Sequence, residues 1–201
     1  MGEHQIRRAV FLDRDGVLNQ PVIREGKPYP PRNPSELEIC AGVAEGCARL
    51  KDAGFLLVVV TNQPDVGRGT QSRSIVEEIH RALLQAIPDL DRIEVCYHGG
   101  TGHGEECNCR KPKPGMLLRA AHDLSVDLLA SYLIGDRWRD IDCARAAGCR
   151  AILIDRHYAE SLREKPDFTV GNFSEAVDVV LRDTSIAVSS PDSKPTRNLR
   201  P

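Results

Sequence analysis

The residues best equipped for chemistry fall at the ends of apolar runs. RAVFLD (8–13) leads into Asp13-Arg14-Asp15-Gly16, FLLVVVTN (55–62) ends in Thr61-Asn62-Gln63, and ASYLIGD (130–136) ends in Asp136, with Asp140 one turn on. A fourth run, RIEVCYH (92–98), enters CYHGGTGHGEECNCRKPKPG (96–115), where three cysteines and two histidines precede Arg110-Lys111. An acid or a Thr-Asn pair after a single strand is ordinary turn chemistry. At four equivalent strand ends the bland reading fails, because carboxylates are costly to gather unless a cation compensates them. Asp13, Asp15 and Asp136 offer hard oxygen ligands of the kind Mg²⁺ takes, and Mg²⁺ binds phosphate while keeping several waters. Thr61 and Lys111 add a donor and a positive charge for phosphoryl oxygens.

The cysteine-rich stretch points to a second metal. Cys96-x-His98 and, eight residues later, Cys107-x-Cys109 make four soft or borderline ligands, a set suited to tetrahedral Zn²⁺ with no open position and hence to a structural site. The Cys-x-Cys spacing is tighter than usual for zinc, and free reactive thiols are the competing reading. His103 competes for the fourth place, but Cys-x-His leaves the strand as a unit whereas His103 lies in a Gly-rich segment. The remaining cysteines, Cys40, Cys47, Cys143 and Cys149, lie in or beside apolar patterns and read as small buried hydrophobes.

The elements that must position these groups are legible as periodicity. Five continuous apolar runs, the fifth being CRAILID (149–155), look like strands of a parallel sheet covered on both faces. Between them lie helical patterns at 42–53, 74–87, 113–124, 139–148 and 174–181, with Ser74 and Glu77 reading as a capping box. Strand and helix alternate, which predicts an α/β fold with a mainly parallel sheet, helices on both faces and ligands at the carboxyl ends of the strands. Residues 19–36, with five prolines, read as a long irregular loop. Residues 1–183 read as one domain containing the 96–110 metal loop, and 184–201 as a disordered tail.

Composition excludes several classes. The 201 residues carry a net charge of −2 with both signs mixed, so there is no footprint for nucleic acid or anionic membrane. No apolar run approaches the roughly 20 residues of a membrane helix. The first residues lack a signal-peptide pattern, and in a reducing compartment a tight Cys/His cluster points to metal rather than disulfides. The chain is expected in the cytoplasm. Nothing demands a partner chain, so a monomer is expected.

FLDRDGVLN, VVVTNQ, RKPKPG and LIGDRWRDI together resemble the four motifs of the haloacid dehalogenase (HAD) superfamily of aspartyl phosphatases, over residues 8–182. That resemblance implies a Rossmann-like HAD fold and a phospho-aspartate mechanism. Asp13 would be the nucleophile, Asp15 the general acid and base, and Lys111 the cation that neutralises both nucleophile and phosphoryl group. Mg²⁺ would be held by Asp13, the backbone carbonyl of Asp15, and Asp136. Thr61, Asn62 and Gln63 would bind the phosphoryl group, Arg68, Arg110 and Arg137 the rest of the substrate, and Asp140 would orient Lys111 or a metal-bound water. The Cys-x-His…Cys-x-Cys-Arg-Lys-Pro segment is similar to the zinc loop of one branch, the D-glycero-D-manno-heptose 1,7-bisphosphate 7-phosphatases and the related histidinol-phosphate phosphatases, which lack a large cap domain. The expected activity is hydrolysis of a small phosphomonoester, heptose 1,7-bisphosphate first and histidinol phosphate or another sugar phosphate second. Pro64-Asp65 and the Pro-rich 19–36 segment depart from the heptose pattern in specificity elements. Outside enzymes, strand-end acids and a phosphorylatable Asp13 would also suit a phospho-accepting signalling domain, which has no need of Asp15 or the zinc loop.

Overall fold

The computed structural model describes residues 7–24, 27–104 and 106–188. In chain order these form β1 (Arg8–Leu12), β2 (Val22–Arg24), β3 (Lys27–Tyr29), α1 (Val43–Asp52), β4 (Phe55–Asn62), α2 (Pro64–Gly67), α3 (Arg73–Ala86), β5 (Arg92–Cys96), α4 (Gly115–Leu124), β6 (Tyr132–Gly135), α5 (Trp138–Ala147), β7 (Arg150–Ile154), β8 (Phe168–Val170) and α6 (Phe173–Val188). Among the described residues, six strands make one sheet in the order β5-β4-β1-β6-β7-β8. Every pairing in it is parallel.

The continuous apolar runs are explained by two cores, one on each face. Val10, Leu12, Leu57, Val59 and Ile134 pack with Val43 and Leu50 of α1 and Phe173 and Val177 of α6. Their strand neighbours Phe11, Val58, Val60 and Leu133 pack the opposite way, with Leu117 of α4 and Ile141 of α5. A strand buried on both faces has no polar positions left to alternate with. Register brings the strand ends level: Val10 stands opposite both Leu57 and Tyr132. Cys40, Cys47, Cys143 and Cys149 are buried free thiols, and burial raises the last three to about 12.

Four local expectations give way. The 19–36 segment is not irregular throughout, because β2 and β3 pair antiparallel, with Val22 opposite Tyr29. A sixth strand, β8, joins the edge of the sheet beside β7. The helix expected to cap at Ser74 begins two residues earlier, with Ser72 as its N-cap and no side-chain cap bond. Glu77 pairs with Arg73 at 2.7 Å instead. Helix α6 continues through Val188, past the position 184 where a tail was expected; the rest of that expected tail, 189–201, lies outside the described residues.

Candidate active site

The central strands β1, β4 and β6 deliver their last residues to one edge. Asp13 follows β1, and its backbone N–H donates to the Ile134 carbonyl of β6 at 3.0 Å. Asp136 follows β6 and is 5% exposed; Asp140 sits in the first turn of α5 and is 1% exposed. Ligand oxygens of Asp13, Asp136 and Asp140 lie within 4.8 Å of one another. Lys111, also buried, reaches them from the segment between β5 and α4, with Nζ 2.8 Å from Asp13 Oδ1 and 2.6 Å from Asp140 Oδ1.

Two glycines permit this crowding. Gly16 has φ +93°, and a Cβ there would stand 1.9 Å from Asp136 Oδ2. A Cβ on Gly135 would stand 2.1 Å from the Cβ of Asp140. Asp140 is held by its helix: Oδ2 accepts the Arg137 N–H at 3.1 Å, the carboxylate half of a capping box. That leaves Oδ1 for Lys111. Asp140 is therefore a buried partner of Lys111 and not a solvated first-turn acid.

The electrostatics record an excess of negative charge. Burial pushes Asp13 up, Lys111 pulls it back, and it stands at about 6. Burial, then Asp13 and Asp140, raise Asp136 well above the ordinary carboxylate range. Burial works against the charge on Lys111, yet Asp13 and Asp140 outweigh it and hold the ammonium above its usual value. Three acids face one lysine. Asp136 Oδ1 is buried with no hydrogen-bond partner among the described residues. A hard cation beside Asp13 and Asp136 fits both the charge and the unsatisfied oxygen.

Asp15 lies apart from that cluster. Its carboxylate receives Arg14 Nη2 at 2.9 Å, Asn19 Nδ2 at 3.1 Å and Gln63 Nε2 at 3.0 Å. Gln63 also donates to Thr61 Oγ1 at 2.8 Å, so its buried amide braces Thr61 and Asp15 instead of facing substrate. The side chain of Asn62 is likewise committed: Oδ1 accepts the Lys111 N–H and Nδ2 donates to the Lys111 carbonyl, both at 3.1 Å. Asn62 thus clamps the backbone that carries the buried lysine.

The second cluster joins Cys96 at the end of β5 to His98, Cys107 and Cys109. Cys96 Sγ lies 3.8 Å from Cys107 Sγ, and His98 Nδ1 lies 3.5 Å from Cys96 Sγ and 3.3 Å from Cys109 Sγ. Ordinary zinc bond lengths imply tetrahedral edges of about 3.8 Å between sulfurs and about 3.6 Å between sulfur and nitrogen. The donor set and its edges fit zinc. His98, not His103, stands among the thiols.

A cleft of about 320 Å³ opens over Asp13 and Lys111. Pro28, Tyr29 and Pro30 at the β2–β3 hairpin contribute to its lining, as do Arg68, Arg110, Arg137 and Arg139. Arg68 Nε donates to the Gly99 carbonyl at 3.0 Å and Arg110 Nη1 to the His98 carbonyl at 3.3 Å. Burial depresses the Arg110 guanidinium, and Arg139 and Arg68 add repulsion. Arg137 pairs with Glu160. Arg139 was not singled out by motif reading; its position in the first turn of a helix after a motif acid was the available signal.

A family model described as HAD-hydrolase-like matches residues 108–176. The D-glycero-β-D-manno-heptose-1,7-bisphosphate 7-phosphatase of Yersinia pestis is 40% identical over 147 residues, 69% of this chain and 75% of that protein. Its counterpart in Escherichia coli K12 is 41% identical over the same length, 69% of this chain and 74% of that protein. The crystal structure of the D,D-heptose 1,7-bisphosphate phosphatase from B. bronchiseptica, complexed with magnesium and phosphate, matches with TM-score 0.74 and 28% identity, covering 89% of this chain and 99% of that one.

Gly16 offers a direct test of the packed acid cluster. Gly16→Ala is expected to lower turnover of p-nitrophenyl phosphate by about 100-fold, the cost typical of displacing a reacting group by ~1 Å, while far-UV circular dichroism stays unchanged. Turnover within a few-fold of the parent would contradict the close approach of Asp136.

Proposed function

This chain belongs to the HAD-like phosphatase family, and on that premise we propose that it is a Mg²⁺-dependent phosphomonoesterase that acts on a sugar bisphosphate, D-glycero-D-manno-heptose 1,7-bisphosphate foremost. The observation that carries the reading is the pairing of a buried Asp13 carboxylate with Lys111 at the floor of an arginine-lined cleft. The family supplies the reaction class; its relatives in Yersinia pestis and E. coli supply the substrate.

The Asp13 carboxylate is the nucleophile. The Arg14 N–H and Lys111 Nζ both engage Oδ1, at 2.7 and 2.8 Å, so Oδ2 is the oxygen left to attack phosphorus. As the Oδ2–P bond forms, the bond from phosphorus to the sugar oxygen breaks, and Asp15 gives its proton to the departing alkoxide. Asp15 then takes a proton from water, whose oxygen attacks the phospho-aspartate and releases phosphate and the Asp13 carboxylate. Thr61 and Lys111 donate to the phosphoryl oxygens. Asp13, Asp136 and the Asp15 carbonyl would hold Mg²⁺, which when bound offsets carboxylate charge and draws charge from the phosphoryl oxygens. Cys96, His98, Cys107 and Cys109 would hold Zn²⁺ as a structural ion. Its position matters because Cys109 directly precedes Arg110 and Lys111, so fixing that thiolate helps fix both cations.

Arg68 and Arg110, with Arg139 beside them, suit the second phosphate of a bisphosphate. Their mutual repulsion is relieved when an anion binds between them. The apolar hairpin wall suits the carbon face of a sugar.

A substrate panel with Mg²⁺ tests the proposal: both anomers of heptose 1,7-bisphosphate, histidinol phosphate, fructose 1,6-bisphosphate and a 3′-phosphorylated oligonucleotide. Highest kcat/KM on a heptose bisphosphate is expected; a preference for histidinol phosphate would overturn the substrate while leaving the reaction class. Asp13→Asn and Asp15→Asn should each abolish turnover without unfolding the chain, and near-parental activity in either would sink the mechanism. Elemental analysis should find about one zinc per chain, as four closed ligands require. Cys107→Ser retaining full zinc and full activity would refute the structural assignment.

A further inference from the structure

Arg14 lies between the two motif acids, fully buried. A buried guanidinium is costly unless its donors are satisfied. Its Nε and Nη2 fork the Asp15 carboxylate at 2.9–3.2 Å. Its Nη1 meets Nε2 of His80 at 2.9 Å, a buried contact across 66 residues of sequence. His80 is 7% exposed and lies on the buried face of α3 with Val76, Ile79 and Leu83. A guanidinium can only donate, so Nε2 accepts and the ring proton resides on Nδ1. Burial, reinforced by the charge of Arg14, lowers His80 to about 4. At neutral pH the ring is therefore an uncharged acceptor.

We propose that His80 is a positioning residue for the general acid–base: by anchoring Nη1 of Arg14 it fixes the fork that orients the Asp15 carboxylate. The proposal rests on the reading of Asp15 given above. The geometry favours it over a merely space-filling histidine because the contact is the far end of one chain of bonds, His80 to Arg14 to Asp15. Asn19 and Gln63 steady the same carboxylate, but each does so through a single N–H. Arg14 supplies the two-point contact, and a two-point contact sets orientation as well as distance. Asp15 must serve two proton transfers from one position, so its orientation bears on kcat rather than on substrate affinity.

A double-mutant cycle tests the relay on the full-length protein. His80→Leu removes the acceptor and is expected to lower kcat for p-nitrophenyl phosphate about ten-fold with KM changed less than about two-fold. His80→Gln, whose Oε1 can occupy the place of Nε2, should recover most of that loss. In an Arg14→Lys background the same His80→Leu change should cost nothing further, because a point-charge ammonium makes no fork for His80 to anchor. An equal loss in both backgrounds overturns the proposal, as does His80→Gln falling as low as His80→Leu, or unchanged kcat in His80→Leu. Should His80→Leu not fold, His80→Asn, too short to reach Nη1, replaces it with the same expectations. Full turnover in Asp15→Asn alone removes the acid–base reading and the relay with it, and that outcome is visible in the single variant, which stands outside the cycle.

Discussion

Three carboxylates and one ammonium are buried together where the central strands end, and the surrounding structure is organised around that imbalance. Lys111 pairs directly with Asp13 and Asp140, and Asp136 stands beside these two acids. Charges taken out of water destabilise a fold unless they are closely paired and hydrogen-bonded. The packing around them is accordingly unforgiving. Gly16 and Gly135 are the positions where a single methyl group would overlap an acid, and Asn62 spends both ends of its amide on the backbone of Lys111. The same imbalance suits phosphoryl transfer. A site in need of positive charge suits a divalent cation, which together with the lysine would face the negative charge of a phosphate.

The sheet does the gathering. In a parallel order β5-β4-β1-β6, neighbouring strands end at one edge, so residues 13, 61 and 136 become neighbours although they are far apart in sequence. Lys111 is different, since it comes from a Gly-rich connection with no regular structure to place it. Three constraints replace that structure: the Asn62 clamp, the ion pairs at Nζ, and the Cys/His cluster ending one residue before Arg110. A zinc ion in that cluster would act on the reaction through position alone.

Much of this was legible in the sequence for a physical reason. Strands buried on both faces must be continuously apolar, and FLLVVVTN or RAVFLD leaves little choice. Strand β8 was missed because FTV is a three-residue edge run after Pro166, too short to carry a period. The β2–β3 hairpin was hidden by its prolines, which are tolerated because this two-stranded ribbon lies outside the main sheet. Ser74-x-x-Glu77 fits a capping box, yet Arg73 takes the glutamate; a four-residue pattern cannot show which side chain wins a competition. At the site, Asp13, Asp15 and Asp136 were visible as acids at strand ends, and Lys111 as a cation following the cysteine-rich stretch. Asn62 and Gln63 looked like phosphate binders, and only three dimensions show their amides committed to Lys111, Thr61 and Asp15. Arg14 and His80 carried no signal in one sequence, because a buried arginine is identified by its surroundings and its partner lies 66 positions away.

The central claim is that Asp13 carries the phosphoryl group during turnover. Rapid quenching of a turnover mixture, borohydride reduction and peptide mass spectrometry test it directly, because hydride reduces an acyl phosphate and leaves a free carboxylate untouched. Homoserine at position 13, dependent on substrate and absent at Asp15, Asp136 and Asp140, is the predicted result. Reduction at another of these acids, or none at position 13 while an acyl-phosphate control is reduced under the same conditions, would contradict the account.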